Sequence, residues 1–591
     1  MLKSFSRLFV FYKDYRRRLI LSQVLLIISA VSMLGVAALS QYMINEGIEA
    51  GDISVLVDTA IWMAVLTLIS GSTMAGTAAL AVFFSQGTAY VIRDKLYRKI
   101  QTFSFANFDR FRTGNLLVRL NADVVNIQNA VMYSVMLILY APFMMLVAMV
   151  LALITTPSLI WLMLVVAAVI MVIMLFLAPQ IFRAYDARQK RLDDLNNTLQ
   201  ENLSAVRVVK AFVREDLEMK RFKTRAEAMR TPAAAAAFRV AFFAPLLTCI
   251  AQVAVAASVW AGGAKVLAHT GMSVGQVMAF MQYLSMMVMP LALMAIVIPF
   301  ILRGDTSAGR IFEIFDTEPV VEDRPDPVRP DQEKTSGKII FEDVSFAYRR
   351  PDGSLDPPVL KNINLTLDPG EKIGFLGATG SGKTTMVNLI PRFYDVTEGR
   401  ITIDGIDVRD YSQNNLRETV GIALQEAVLF QGDLRFNLKF GAPDTDDDTM
   451  IKAARASDAY EFVKNLPKKW KAPVARRGYN FSGGQRQRLS MGRTLTPGPK
   501  ILIMDDSTSA LDVETESRVQ TAIPEKYPAV TILYVAQRIS AVIDLDKIVL
   551  LEDGTILDIG THEELLERSP LYQDIYESQL GSGVMAGLEV E

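Results

Sequence analysis

The sequence predicts an all-α domain of six membrane-crossing helices followed by an α/β domain built around a P-loop. Three observations predict it. From Val124 to Phe182 there is no Asp, Glu, Lys or Arg. A bilayer requires runs of that kind, because about 20 apolar residues span its hydrocarbon core. After Arg303 the apolar runs give way to mixed sequence punctuated by Pro, Gly and Asp. Within that second half, a short apolar strand pattern leads into a glycine-rich loop and then an apolar helix pattern, the order a phosphate-binding loop needs.

Taken from the N-terminus, residues 1–18 carry Lys3, Arg7, Lys13, Arg16, Arg17 and Arg18. They read as a basic amphipathic elbow on the inner membrane surface. A cleaved signal peptide is the competing reading, but the first apolar run is long enough to span and five more follow it. Charge-free stretches place the six spans near 19–45, 59–92, 124–154, 157–182, 240–264 and 273–302, with Thr155-Thr156-Pro157 breaking the longest run. The connections 93–123 and 183–239 are rich in Lys and Arg, whereas the short links carry only Lys265. The positive-inside rule therefore predicts a multi-pass protein of the cell membrane, with both termini, the two long connections and the soluble half in the cytoplasm. Both connections read as helical extensions of the spans, Gly114 being the only strong breaker in the first and Pro232 the only proline in the second. Solvated loops are the alternative, at lengths unusual for structureless chain.

A linker rich in Pro, Asp and Glu is expected over 317–338, the α/β domain over 339–580 and a tail over 581–591. The composition excludes disorder, collagen and disulfide scaffolds. Cys249, the single cysteine, reads as inert filler in an apolar stretch. A net charge of -2 gives no global sign of a nucleic-acid partner.

The glycine-rich loop is Gly377-Ala378-Thr379-Gly380-Ser381-Gly382-Lys383-Thr384, followed by Thr385. Glycines let the backbone approach phosphates, whose charge is met by N–H groups at the helix start. Lys383 would reach the β- and γ-phosphates and Thr384 would hold Mg²⁺. The apolar strand ILIM delivers Asp505 to its C-terminal end, where a carboxylate can hold the metal's water shell. Two motifs in order on strands point to nucleotide binding.

Phe481-Ser482-Gly483-Gly484-Gln485 then carries a resemblance. It matches the LSGGQ signature of ABC transporters, with Phe for Leu, and the whole chain resembles one half of an ABC exporter. The resemblance implies that Tyr348 stacks on adenine, that Gln425 is the Q-loop glutamine contacting Mg²⁺ with Thr384 and Asp505, and that Ser509-Ala510-Leu511-Asp512 is the D-loop. It also implies coupling helices around TGNLLVRLNADV and SAVRVVKAFVRE. In that family each ATP lies between the P-loop of one nucleotide domain and the signature of another. Ser482, Gly483, Gly484 and Gln485 would therefore serve ATP in a partner's site, and the chain must dimerise to work.

Three residues depart from the family pattern. Asp506 stands where a glutamate orients the attacking water, which shortens the reach by ~1.5 Å. Misplacement by ~1 Å can cost ~100-fold, and positioned bases are worth ~10² to 10⁴. Gln537 replaces the switch histidine, and only His269 and His562 exist elsewhere. Arg476 replaces a glutamate ahead of the signature, as a surface variation or a change in coupling. Asp506 and Gln537 together resemble the degenerate-site subunit of heterodimeric multidrug exporters, whose partner carries the standard glutamate and histidine. An ordinary homodimer with a weaker base is the alternative. Asp58, Lys265 and Arg303 all fall near span ends, so a fixed-charge ion path does not fit and apolar or amphipathic cargo does. Met278, Met281, Met286, Met287, Met289 and Met294 make the last span methionine-rich, which suits a promiscuous surface or ordinary packing. A lipid or peptide exporter is the nearest alternative, and an ATP-gated channel or regulator a more distant one.

Overall fold

The computed structural model describes residues 3–269, 271–350 and 353–580. The expected tail 581–591, the first two elbow residues, and the side chains of Met289 and Met294 lie outside the described residues. The chain divides into two compact units: Met1–Ile100 with Gly114–Thr317, and Gln101–Thr113 with Glu318–Glu591.

The first unit is helical. Arg16–Glu49, Ile53–Gln101, Thr113–Thr155, Pro157–Ser204 and Glu215–Leu267 are long and apolar enough to cross a membrane. The sixth expected span lies in the helix Val274–Phe315, whose described apolar stretch is Val274–Val288. The protein is thus a multi-pass membrane protein. Thr156 leaves the helical region at φ -139, ψ 56, and Pro157 opens the next turn, where its missing N–H is no loss. Cys249 is exposed on its helix. The elbow is fastened to the last long helix: Phe5 N donates to Asp305 at 2.8 Å, and Arg7 pairs with Asp316 while lying 4.0 Å over the Phe312 ring. Deeper in this unit, the Asp123 side chain is 1% exposed. It accepts from Ser307 at 2.8 Å and from Arg310 Nε at 2.8 Å, the pairing a buried carboxylate requires.

The long connections are carried largely by extensions of the spans, in Ile53–Gln101, Pro157–Ser204 and Glu215–Leu267. Gly114 lies inside the helix Thr113–Val118, and Pro232 inside Glu215–Leu267. One absent N–H costs about 3 kcal/mol, which a helix of 53 residues carries on its remaining bonds. The chain turns instead at Thr102–Ser104 and at Phe212–Arg214. At the first turn Ser104 and Asn107 cap each other's backbone reciprocally. At the second, Val213 takes φ 50.

The second unit holds twelve strands among the described residues: β1 (Ile339–Phe346), β2 (Leu360–Leu367), β3 (Lys372–Leu376), β4 (Glu398–Ile403), β5 (Ile406–Asp407), β6 (Val420–Ala423), β7 (Gly432–Asp433), β8 (Pro473–Val474), β9 (Ile501–Asp505), β10 (Thr531–Val535), β11 (Lys547–Glu552) and β12 (Thr555–Gly560). An antiparallel sheet runs β2-β1-β4-β5, and a six-stranded sheet runs β12-β11-β3-β10-β9-β6. All neighbours in the larger sheet are parallel except β12, which closes one edge antiparallel to β11. β9 and β10 are buried at every residue, as strands covered on both faces must be. The linker is laid along this unit: Val328 N donates to Asp410 O at 2.7 Å, and Ser412 N to Val328 O at 2.9 Å.

Gln101–Thr113 groups with this unit, which corrects the expected place of the first coupling helix. The short helix that packs here is Phe105–Arg110, in the run FANFDR. Phe105 stacks on Phe393 with centroids 4.0 Å apart, Tyr394 Oη donates to Asp109 at 2.9 Å, and Asn107 Nδ2 donates to Glu318 O at 3.0 Å. From Gly114 onward, TGNLLVRLNADV belongs to the first unit instead. In the second connection, Val206–Ala211 forms a short exposed helix followed by Phe212, which is 72% exposed.

Loss of the Phe105 ring should loosen this insert selectively. Aromatic pairs contribute about 0.5–1.5 kcal/mol beyond area burial. Phe105→Ala should therefore speed hydrogen exchange across residues 101–113 by roughly twofold to tenfold, with β3 and β9 unchanged. Equal exchange in the insert would refute the docking.

Candidate functional site

The parallel register decides what meets. Val535 of β10 pairs with Asp505 of β9 on one side and with Phe375 of β3 on the other. Ala423 of β6 pairs with Met504. The loops after β3, β6, β9 and β10 therefore leave one edge of the sheet side by side, the usual ligand edge of such sheets. Between them lies a cavity of about 270 Å³. Thr379, Gly380, Gly382, Lys383, Thr384, Thr385, Gln425, Asp505, Asp506 and Gln537 line it, with Val359 and Val535.

The helix Lys383–Leu389 starts from Gly382 at φ 102, a left-handed residue whose added Cβ would lie 2.7 Å from Leu360. Only glycine meets both conditions. Lys383 is buried, its Nζ donating to Gly377 O at 2.8 Å and Ala378 O at 2.9 Å, with Ser381 Oγ at 3.5 Å. Burial lowers its pKa, and Asp506 and Asp505 oppose that shift. The ammonium is thus stored against the loop carbonyls, within the ring of groups that would meet phosphate. Gly377 and Ala378 line a second cavity of about 270 Å³, which shares Thr379 and Gln537 with the first.

Two carboxylates face the cavity. Thr384 Oγ1 donates to Asp505 Oδ1 at 2.9 Å. Asp506 sits at φ 48 and accepts on Oδ2 from Gln425 Nε2 at 3.1 Å and from Gln537 Nε2 at 3.4 Å. Burial raises both acids' pKa values, and for Asp505 the neighbouring Asp506 adds to the rise. Adjacent acids that resist ionisation, beside a hydroxyl, form a hard oxygen set with an unmet demand for positive charge. That set fits Mg²⁺, which takes few protein ligands and completes its shell with water and phosphate. Thr384 and Asp505 would hold it, where it would neutralise phosphate charge. Gln425 is turned to Asp506 rather than to this pair.

Tyr348 is half-buried, its hydroxyl 3.0 Å from Thr385 Oγ1 and its ring edge-on to Tyr394 at 5.3 Å. The signature starts the helix Gly483–Leu495. Ser482 caps it, accepting from Gln485 N at 3.3 Å while Gln485 Oε1 accepts from Ser482 N at 3.0 Å. A Cβ on Gly484 would meet Ala510 O at 3.0 Å, so the D-loop lies directly on the signature. Phe481 is buried near Phe462, which gives its replacement of leucine a packing role. Ser482, Gly483, Gly484 and Gln485 are not among the residues lining the P-loop cavity. Sequence reading missed Gln487. Its buried amide accepts from Ala510 N at 2.9 Å and donates to Ser509 Oγ at 3.3 Å, holding the D-loop to the signature helix. Its place five residues after Ser482, in the polar run 485–488, was the available signal. His562 bonds Tyr572 at 2.7 Å and does not line the cavity. Arg476 is exposed, and nothing in the structure explains its identity.

Comparison with known proteins matches residues 19–291 to the ABC transporter transmembrane region and residues 360–509 to the ABC transporter domain. The Bacillus subtilis (strain 168) ABC transporter ATP-binding protein YfiB is 35% identical over 87% of this chain and 88% of its own length. An ATP-dependent lipid A-core flippase of Syntrophus aciditrophicus (strain SB) is 34% identical over 87% of this chain and 84% of its own. A bacterial Atm1-family ABC exporter with ATP bound shares the fold, with TM-score 0.80 at 21% identity over 96% of this chain and 99% of that one.

The raised Asp506 pKa has a signed consequence. Its ionisation disfavours the folded chain, so that contribution to stability is full below the ordinary value of 3.8 and is lost as pH rises through the folded pKa. Without nucleotide or Mg²⁺, Asp506→Asn should raise the thermal midpoint at neutral pH. The gain should shrink as pH falls toward 3.8. A gain constant across pH would mean that charge is not its cause.

Proposed function

The chain belongs to the ABC transporter family, and we propose that it acts there as the degenerate-site half of a heterodimeric, ATP-driven exporter. One observation carries this reading: Asp506 is bound by the amides of Gln425 and Gln537. An amide pair fixes a carboxylate as an acceptor but cannot carry the charge of an imidazole. The shorter acid also stops short of a water poised for a glutamate. In this reading Lys383 and the P-loop amides bind the phosphates, Tyr348 meets the base, and Thr384 and Asp505 hold Mg²⁺. Turnover here is slow. Ser482, Gly483, Gly484 and Gln485 complete ATP binding in the partner's site, where the partner supplies the standard glutamate and histidine. ATP closes the two nucleotide domains, the helices Phe105–Arg110 and Val206–Ala211 transmit closure, and the membrane cavity turns outward.

The proposed cargo is an apolar or amphipathic compound of the multidrug class, since the apolar spans offer no ionisable path through their interior. A second reading, lipid export, is favoured by relatives named lipid A-core flippases. Nucleotide-dependent accumulation in inverted vesicles, with a drug-like dye in one arm and a fluorescent lipid in the other, separates the two. Single-channel currents would instead favour an ATP-gated pore.

The division of labour predicts an asymmetry. Ser482→Ala with Gly483→Asp, assembled with a wild-type partner, should nearly abolish ATPase, since donors of this type are worth ~10² to 10³ each. Lys383→Ala should leave measurable turnover at saturating ATP. Equal losses, or vigorous turnover by the lone wild-type chain that no partner alters, would sink the proposal.

A further inference from the structure

The C-terminal helix Pro570–Leu580 presents Tyr572, Tyr576 and Gln579 on one face, at spacings of four and three. Tyr572 and Tyr576 are buried in the core that also holds Tyr534, Ala536 and Ile539. His562 braces Tyr572 at 2.7 Å and lies tilted against Tyr576, ring centroids 5.5 Å apart. At the end of that face, Gln579 makes two bonds to the loop after β10. Its Nε2 donates to Gln537 O at 2.9 Å, and its Oε1 accepts from Ile539 N at 2.8 Å. One side-chain amide thus replaces a rung of sheet ladder and fixes the peptides on both sides of Arg538. Gln537 and Thr379 separate the P-loop cavity from the neighbouring one, whose far wall is Leu571, Ile575 and Gln579 of this helix.

We propose that Gln579 is a positioning residue for the ATP site, a strap by which the C-terminal helix sets Gln537 against Asp506. This rests on the reading of the P-loop cavity as an ATP site. The loop leaves the sheet at Ala536, whose N–H still bonds Phe375 O at 3.1 Å. Gln537 and Arg538 are exposed. Their conformation therefore depends on what grips residues 537 and 539, and Gln579 grips both. Without it, the Gln537 amide loses its fixed approach to Asp506 and to a bound phosphate. The helix bearing Gln579 is anchored independently by its two tyrosines, so the strap can be removed while the helix stays.

The test uses the full chain in nanodiscs as wild type, Gln579→Ala and Gln579→Glu, with Lys383→Ala as the control for ATP binding. Hydrogen exchange is read on the peptide containing Ile539 and on β3 and β9. The dissociation rate of a fluorescent ATP analogue is read in parallel, with Mg²⁺ present. Two ordinary hydrogen bonds set the scale. Gln579→Ala should speed exchange at Ile539 about tenfold or more and release nucleotide about tenfold faster, with β3 and β9 unchanged. Gln579→Glu keeps the acceptor for Ile539 N–H and loses the donor to Gln537 O, so exchange should stay near wild type while nucleotide release is still faster. Unaltered exchange at Ile539 overturns the strap. Faster exchange with unaltered release reduces Gln579 to a structural staple and overturns its positioning role. Identical nucleotide binding by wild type and Lys383→Ala overturns the ATP reading itself, and the strap's role with it.

Discussion

Parallel pairing of β3, β10, β9 and β6 is the constraint on which the second unit depends. Parallel strands need long crossovers, so each must leave the sheet at the same edge before returning. The P-loop follows β3, the Q-loop β6, Asp506 β9 and Gln537 β10. Residues more than 150 positions apart in the chain, such as Lys383 and Gln537, come to line one cavity for that reason. A slip of one residue in the β9–β10 pairing would turn Asp505 to the opposite face.

Charge then organises that edge. Lys383, Asp505 and Asp506 are all drawn from water, and each is shifted toward its neutral form by burial. The loop carbonyls and the amides of Gln425 and Gln537 satisfy them only as neutral dipoles can. Triphosphate and Mg²⁺ would exchange those dipoles for full charges, so binding would relieve a cost already built into the fold. The same logic acts in the first unit, where Asp123 tolerates burial because Arg310 and Ser307 meet both its oxygens.

The Gln101–Thr113 insert belongs to the second unit although segments of the first unit flank it in the chain. Its helix is only six residues long, too short to hold itself. Phe105 on Phe393 and Asp109 under Tyr394 supply the order that its sequence lacks. Tyr394 also faces Tyr348, so Tyr348 and the insert rest on one ring.

By itself the sequence placed six apolar helices, the Pro157 break, the P-loop, the ILIMDD strand and the signature. Those features are local: runs of apolar residues, fixed φ at proline, glycines in a short loop. Tertiary structure decided where the insert docks and that Gln425 and Gln537 converge on Asp506. It also decided that Gln487 and Gln579, ordinary polar residues in their own segments, bond Ser509–Ala510 and the loop after β10. Each of those outcomes depends on partners far away in the chain, and a side-chain amide acquires a function only from the backbone that packing brings within hydrogen-bond reach.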